Sequence, residues 1–452
     1  MLVTFSIANF RSFGPEETFS LVASNRLGDT HTDHMCPIPG SDKRVLRAGV
    51  IYGANGSGKS NLFKALDFVQ DAVVSPRKKD TGTGRDGFRL AGRPPEESSF
   101  DLQFIARQKL YRFGFKASDE SITEEWLAEI VDGKESTIYE RITTLEGRVE
   151  VEAVGLRKSS EKAATLASLG GPKNITFLAT ISSTLEEAEY GSQIRDVVDW
   201  FKGHLKLISP QSRFSNIGEF LVDYPEFGEF AGKFLHSVST GVDSLKVTKT
   251  DFTEEQMKAM MSAPIEALDV LDGEDLGAFM FGEGTEIKHE KSAEKPFQLI
   301  KVASIHQSKN LEPVEFSLSE ESDGTRRLLH LLPAIHELGS KSSVYFIDEI
   351  DRSLHPNLVW AFVEFFLKSC LSSTAQLIVT THESKLLDLE LLRRDEIWFM
   401  EKDQSGASRM YPLTDFKVRT DYMIRKHYLQ GRFGAIPFLG DLSNLLQEEK
   451  QG

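Results

Sequence analysis

Cysteine is nearly absent from this chain of 452 residues. Its two cysteines, Cys36 and Cys370, offer neither a disulfide framework nor a metal-binding spacing. No run of about 18 apolar residues occurs, which argues against a membrane-spanning helix. The opening stretch MLVTFSIANFRSF alternates apolar and polar residues as a strand does and does not read as a signal peptide. A reducing cytoplasm is therefore the expected compartment. An excess of basic charge is missing as well. Lys and Arg number 53 against 68 Asp and Glu, a formal net charge of −15, which is wrong for a protein that coats nucleic acid indiscriminately. No heptad stripe persists long enough for a coiled coil, and no internal repeat is found.

What is present suits a globular protein of two or three domains with a substantial core, 40 % of it hydrophobic residues. Strands are expected at Val3–Ala8, Thr18–Ala23 and Arg47–Tyr52, with a polar loop over 24–44 and a helix over Lys59–Ala72. Period-two alternation predicts antiparallel strands at Phe100–Ile105, Leu110–Lys116 and Glu125–Val131. From Ser183 to Glu290 there are 21 acidic and 9 basic side chains, a net of −12, with helical spacing at Ile194–Phe201, Phe227–Val238 and Glu254–Val270. The last third alternates helix and strand, the mark of a parallel sheet flanked by helices. The expected organisation is an α/β domain built from both ends of the chain, residues 1–182 and 292–452, interrupted by an acidic α-helical insertion over 183–291.

Three motifs carry chemistry. Gly53-Ala54-Asn55-Gly56-Ser57-Gly58-Lys59-Ser60 fits the phosphate-loop pattern G-x-x-x-x-G-K-[ST] between a strand and a helix, with Asn61 following. Its glycines let backbone N–H groups turn toward phosphate oxygens, Lys59 brings a cation to the β- and γ-phosphates, and the Ser60 hydroxyl can ligate Mg²⁺. Ser343-Val-Tyr-Phe-Ile-Asp348-Glu349 is a buried-type strand with two carboxylates at its tip. Alone, such a pair is often a solvated strand end. Behind a phosphate loop, the first carboxylate is expected to hold Mg²⁺ and the second to orient the attacking water. Gln376-Leu-Ile-Val-Thr-Thr-His382 sets a histidine at the carboxyl end of the next strand, where ligands gather in open α/β sheets. A lone histidine there would usually be structural; in this order it is a candidate partner of the γ-phosphate. Ser322-Asp323-Gly324-Thr325, taken by itself, is an ordinary helix start, since Ser and Asp are favoured caps.

The sequence of elements FSIANFRSF, GANGSGKS, SEESDGT, VYFIDEID and TTH resembles the ABC-type ATPases of the SMC, RecF and OLD group over roughly 1–180 and 292–440. The ending Tyr428-Leu-Gln-Gly-Arg-Phe-Gly-Ala-Ile-Pro437 and "SDGTRRLL" are similar to bacterial AAA-15/AAA-21 family ATPases, subunits of two-component antiphage systems such as PARIS, Septu and AbiL. The resemblance implies an ABC-type P-loop domain with a mostly parallel sheet and an antiparallel β-subdomain, using ATP and Mg²⁺. It implies a homodimer, or a higher homo-oligomer of dimers, in which Ser322, Asp323, Gly324 and Thr325 complete the partner's site. It also implies Arg11 beside the nucleotide, Gln103 as the glutamine that watches Mg²⁺, and a separately encoded effector, a nuclease or toxin. Three departures stand out. Ser-Asp-Gly-Thr lacks the second glycine of Leu-Ser-Gly-Gly, and His355 in Ser-Leu-His-Pro stands where SMC-type proteins often have aspartate. The 70 residues after His382 hold no nuclease-like carboxylate set.

A RecF-like DNA-engaging ATPase is the alternative. It needs a basic face, and Arg77, Lys78, Lys79, Arg85, Arg89 and Arg93 are the one local cluster, in a Gly/Pro-rich stretch that also reads as a solvated loop. The acidic insertion is either merely solvated or a surface for a basic protein partner.

Overall fold

The computed structural model describes residues 1–28, 30–75, 77–79, 81–90, 97–211, 217–253, 255–256, 258, 284–289, 297–336, 342–369, 374–417 and 423–436. The chain divides into two compact units, one of Met1–Pro210, Ser340–Ile350 and Trp360–Gly452, the other of Gln211–Gly339 and Asp351–Val359. No described helix is long and apolar enough to cross a membrane.

In the first unit, strands β1 (Leu2–Ala8) and β2 (Glu17–Ser20) open the chain, and short β3 (Met35–Pro37) and β4 (Arg44–Leu46) pair with each other. Fully buried β5 (Ala48–Gly53) runs into the phosphate loop and helix α1 (Lys59–Val74). Five antiparallel strands follow: β6 (Ser98–Ala106), β7 (Lys109–Ala117), β8 (Ile122–Val131), β9 (Lys134–Thr143) and β10 (Val149–Glu152). They extend β1 and β2 into a seven-stranded sheet of order β10-β9-β8-β7-β6-β1-β2. Alternate burial along β6 explains this choice of fold, because Ser98, Phe100, Leu102, Phe104 and Ala106 all face the core. Rings of Phe10, Phe68, Phe100 and Phe115 interlock there at 5.1–6.1 Å between centroids.

A second sheet has the order β11-β16-β17-β5-β18-β19, with β11 (Leu205–Ile208), β16 (Val344–Ile347), β17 (Gln376–Thr381), β18 (Ile397–Lys402) and antiparallel β19 (Ser408–Pro412). β11, β16, β17, β5 and β18 run parallel, so their carboxyl ends share one edge. The Gln376 side-chain amide ties the opposite edge: it accepts from Leu2 N at 2.7 Å and donates to Leu2 O at 2.9 Å and Leu46 O at 2.7 Å. β1 therefore starts at the amino edge of this sheet. A buried carboxylate, Glu125 of β8, accepts from Phe177 N (2.6 Å), Leu178 N (3.1 Å) and the Tyr139 hydroxyl (2.7 Å), capping helix α2 (Phe177–Thr184).

The second unit pairs β12 (Ser244–Asp251) and β13 (Thr285–His289) antiparallel to the central β14 (Phe297–Gln307), with β15 (Pro313–Ser317) pairing β14 as well. Helices α3 (Ile217–Asp223), α4 (Pro225–Ser237) and α5 (Asp323–His336) belong to it. The expected purely helical character of 183–291 needs correction on this point. β11 joins the parallel sheet, and β12 and β13 are strands, with Leu245 and Val247 alternating against exposed polar neighbours. Most of the helix expected over Glu254–Val270 lies outside the described residues.

Candidate functional site

The ends of β5, β17 and β16 lie side by side, and each delivers one motif. Tyr52 is in register with Thr381, and Val379 with Ile347, so Gly53, His382 and Asp348 follow at the same edge. Sheet order puts His382 between the phosphate loop and the acidic tip.

The loop's shape depends on glycine. Gly58 has φ 113° and a Cβ there would stand 2.1 Å from Ser408 Oγ; one on Gly53 would stand 2.5 Å from Met400 O. Lys59 is buried, its ammonium donating to Gly53 O (2.7 Å) and Ala54 O (3.2 Å), while Asn55 and Gly56 form the exposed tip. Ser57 keeps a buried hydroxyl without a hydrogen-bond partner among the described residues. A small network fixes the loop's flank. Asn61 donates to Ser12 Oγ at 2.8 Å, Ser408 Oγ lies 2.7 Å from both Ser12 Oγ and Ser57 O, and Ser408 N donates to Ser12 O at 2.7 Å. Ser60 at the helix start is half-buried. A cradle of close-approach glycines, a lysine at its back and a helix N-terminus together fit a polyphosphate.

Arg11 reaches this flank because it precedes Ser12 in the turn after β1. It has φ 52°, its N–H donates to Asp86 O at 2.6 Å, and its guanidinium pairs with Asp86 at 3.7 Å. Gln103 does not arrive here. β6 runs antiparallel to β1, so Ser99 lies opposite Ala8 near the Arg11 turn, while Gln103 lies opposite Thr4, about 13 Å back along the strand. That register sets Gln103 back from the Arg11 turn, apart from the expectation that it attends Mg²⁺.

At the acidic tip Asp348 is buried and Glu349 half-buried. Thr380, unremarked in the sequence reading, joins them: its hydroxyl donates to Asp348 Oδ1 at 2.6 Å and accepts from Glu349 N at 2.8 Å. Glu349 holds a left-handed backbone, φ 50°, which costs a non-glycine residue about 1–2 kcal/mol. Ile350 N donates to Thr380 O at 3.1 Å and helps hold that turn. The first threonine of "TTH" was the available signal. His382 is exposed.

Within the second unit, Ser322 caps α5, its Oγ accepting from Thr325 N at 3.1 Å and lying 2.8 Å from Thr325 Oγ1. Thr325 is buried, and its hydroxyl is engaged by the cap. A Cβ on Gly324 would stand 2.7 Å from Ser353 O, which explains why glycine is needed there. Ser322 and Asp323 are exposed, and Asp323 pairs with Arg326. His355 accepts from Asn357 N at 3.2 Å through Nδ1, a local cap of the helix that follows.

A family model described as "AAA domain, putative AbiEii toxin, Type IV TA system" matches residues 50–388, well over half of the chain. No curated protein matches it. Two solved structures resemble the chain at 14 % identity. One, titled "Crystal structure of the SmcHead bound to the C-winged helix domain of ScpA", has a TM-score of 0.43 and covers 91 % of this chain and 97 % of its own. The other, "SMC head domain from Thermotoga maritima", has a TM-score of 0.37 and covers 91 % and 98 %.

Proposed function

The chain belongs to this AAA-21 family of P-loop ATPase domains, and on that premise we propose that it is an ATP-hydrolysing switch that dimerises around ATP and controls a separate effector. The observation that carries this reading is the meeting of three strand ends at one sheet edge: the Gly53–Ser60 loop, the Asp348–Glu349 tip and His382. Lys59 and the loop amides hold the β- and γ-phosphates, with Arg11 at their flank. Ser60 and Asp348 fit Mg²⁺, which when bound neutralises phosphate charge and orients the polyphosphate. Glu349 aligns a water with the γ-phosphorus and accepts its proton, and His382 donates a hydrogen bond to the γ-phosphate.

The helix start at Ser322–Thr325 serves a second copy of the chain. Its exposure supports this, since Ser322 and Asp323 stand at the surface, where a second copy can reach the start of α5. The family's description, an AAA domain and putative AbiEii toxin of a type IV toxin–antitoxin system, favours a role in antiphage defence, and the separate nuclease or toxin effector is what the resemblance of the motifs implies. The DNA-binding alternative draws less support. Arg85 is drawn inward onto Asp119 at 2.7 Å and Arg93 lies outside the described residues, which leaves Arg77, Lys78, Lys79 and Arg89 as the exposed cations of the cluster.

Glu349→Gln tests the proposal. It is expected to bind ATP as the parent does, to lose hydrolysis by about 10²-fold or more, and to elute as a dimer with ATP and Mg²⁺. A variant that stays monomeric with ATP, or turns ATP over at the parent rate, would overturn it.

A further inference from the structure

Far from the phosphate loop in sequence, the segment His31-Thr32-Asp33-His34 gathers metal-ligating groups that the nucleotide chemistry does not use. One ligand atom from each of His31, Asp33 and His34 lies within 4.8 Å of the others. The two imidazoles stack with centroids 4.7 Å apart, and His31 adopts a left-handed backbone, φ 47°, at the start of the single 3-10 turn Thr32–His34.

Each ring is already held by one nitrogen. His31 Nε2 donates to Leu389 O at 3.0 Å, and His34 Nδ1 lies 3.1 Å from both oxygens of Glu396. Glu396 is itself fully buried and fixed by Arg393 N at 2.7 Å. A backbone carbonyl and a carboxylate in these positions set the tautomer and aim of a metal-ligating histidine. His34 Nε2 and His31 Nδ1 then carry the lone pairs.

The surroundings suit a dication. Asp33 and Glu396 contribute two carboxylates near the His34 ring against one guanidinium, Arg393, which is paired with Asp395 at 3.0 Å. Two imidazoles and one carboxylate, with no thiolate, select a borderline cation over Mg²⁺ or Ca²⁺, which prefer all-oxygen shells. Zinc bound by such a set has its ligands about 3.3 Å apart, so the two rings must swing out of their stack for both in-plane lone pairs to meet one ion.

We infer that His31 Nδ1, Asp33 and His34 Nε2 form a zinc-binding site, with water in a fourth position, that clasps the 24–34 loop onto the 389–396 segment. The loop is already docked there by Ser24 N on Asp395 (2.8 Å) and by Arg393 on Thr30 O, so the ion would reinforce an existing contact. This site is independent of the proposed ATPase role.

The test uses the full chain, tag-free and chelator-treated, titrated calorimetrically with zinc chloride in excess Mg²⁺. The expected result is one zinc per chain at micromolar affinity or tighter, with a rise in Tm that a chelator reverses. His31→Ala and Asp33→Asn are each expected to weaken binding about tenfold or more, and Asp33→Asn, whose side chain is exposed, to leave the metal-free Tm unchanged. His34 is buried, and its replacement is avoided because loss of its Glu396 contact alone could unfold the loop. Absence of saturable binding, or binding unchanged in the His31→Ala/Asp33→Asn double variant, would overturn the inference.

Discussion

The phosphate-loop edge and the Ser322 helix start are both glycine-punctuated helix N-termini, yet they are built differently. Lys59 is 5 % exposed and bonded to two loop carbonyls, and Ser12, Asn61 and Ser408 lock the loop from the side. The Ser322 start has its glycine pressed against Ser353 O and its threonine turned inward, but its serine and aspartate stand in solvent. The first is a finished half-site whose groups converge on a space beside them. The second has the backbone precision of a binding element without a converging set among the described residues of its own unit. That contrast fits a site completed by another copy of the chain.

The largest expected effects break the comparison at each end. Lys59→Ala removes the cation of the finished half and is expected to abolish ATP binding, read by calorimetry. Ser322→Arg should leave ATP binding within a fewfold of the parent and abolish hydrolysis. Mixing the two variants places both lesions in one composite site of a mixed dimer and leaves the other whole. About a quarter of parental turnover should then return, since half the dimers are mixed and each keeps one site. Verified mixed dimers without activity would contradict action in trans.

A smaller effect separates the strained tip from its support. Thr380→Val keeps the shape of the strand but deletes the hydroxyl that joins Asp348 Oδ1 to Glu349 N. Leaving those groups unsatisfied is expected to cost about 1–3 kcal/mol in denaturant melts. It should also lower kcat about tenfold, with little change in KM, because in the proposed mechanism Asp348 holds Mg²⁺ and Glu349 orients the reacting water. A loss of stability with kcat unchanged would make Thr380 purely structural.

How much of this was legible beforehand follows the range of the interactions. The phosphate loop, the acidic strand and His382 could be read because each is a local pattern, and the parallel register carried all three to one edge. Thr380 was not, since its role needs a hydroxyl on one strand to meet a carboxylate on the next. His31, Asp33 and His34 sat in what reads as a polar loop, and their significance depends on Leu389 and Glu396, over 350 residues later. β12 reads as part of a helical segment because only the half-buried Leu245 and Val247 mark its inner face, too short a run to outweigh the helices before it.

Gln103 marks the smallest expected effect and the limit of reading by resemblance. A glutamine in a strand of the antiparallel sheet matches the family's pattern in kind, but the register decides its place. β1 begins against Gln376 at the amino edge of the parallel sheet and ends at the Arg11 turn, so a residue opposite Thr4 lies back from the nucleotide edge. Its backbone neighbours on the other side are those of Arg112, whose guanidinium is engaged with Asp101 and Glu135. Gln103→Ala should therefore leave ATP turnover and its Mg²⁺ dependence within about twofold of the parent, the range of a substitution away from any special feature. A rise of tenfold or more in the Mg²⁺ concentration needed for half-maximal turnover would return Gln103 to the metal and require β6 to shift toward the loop when nucleotide binds.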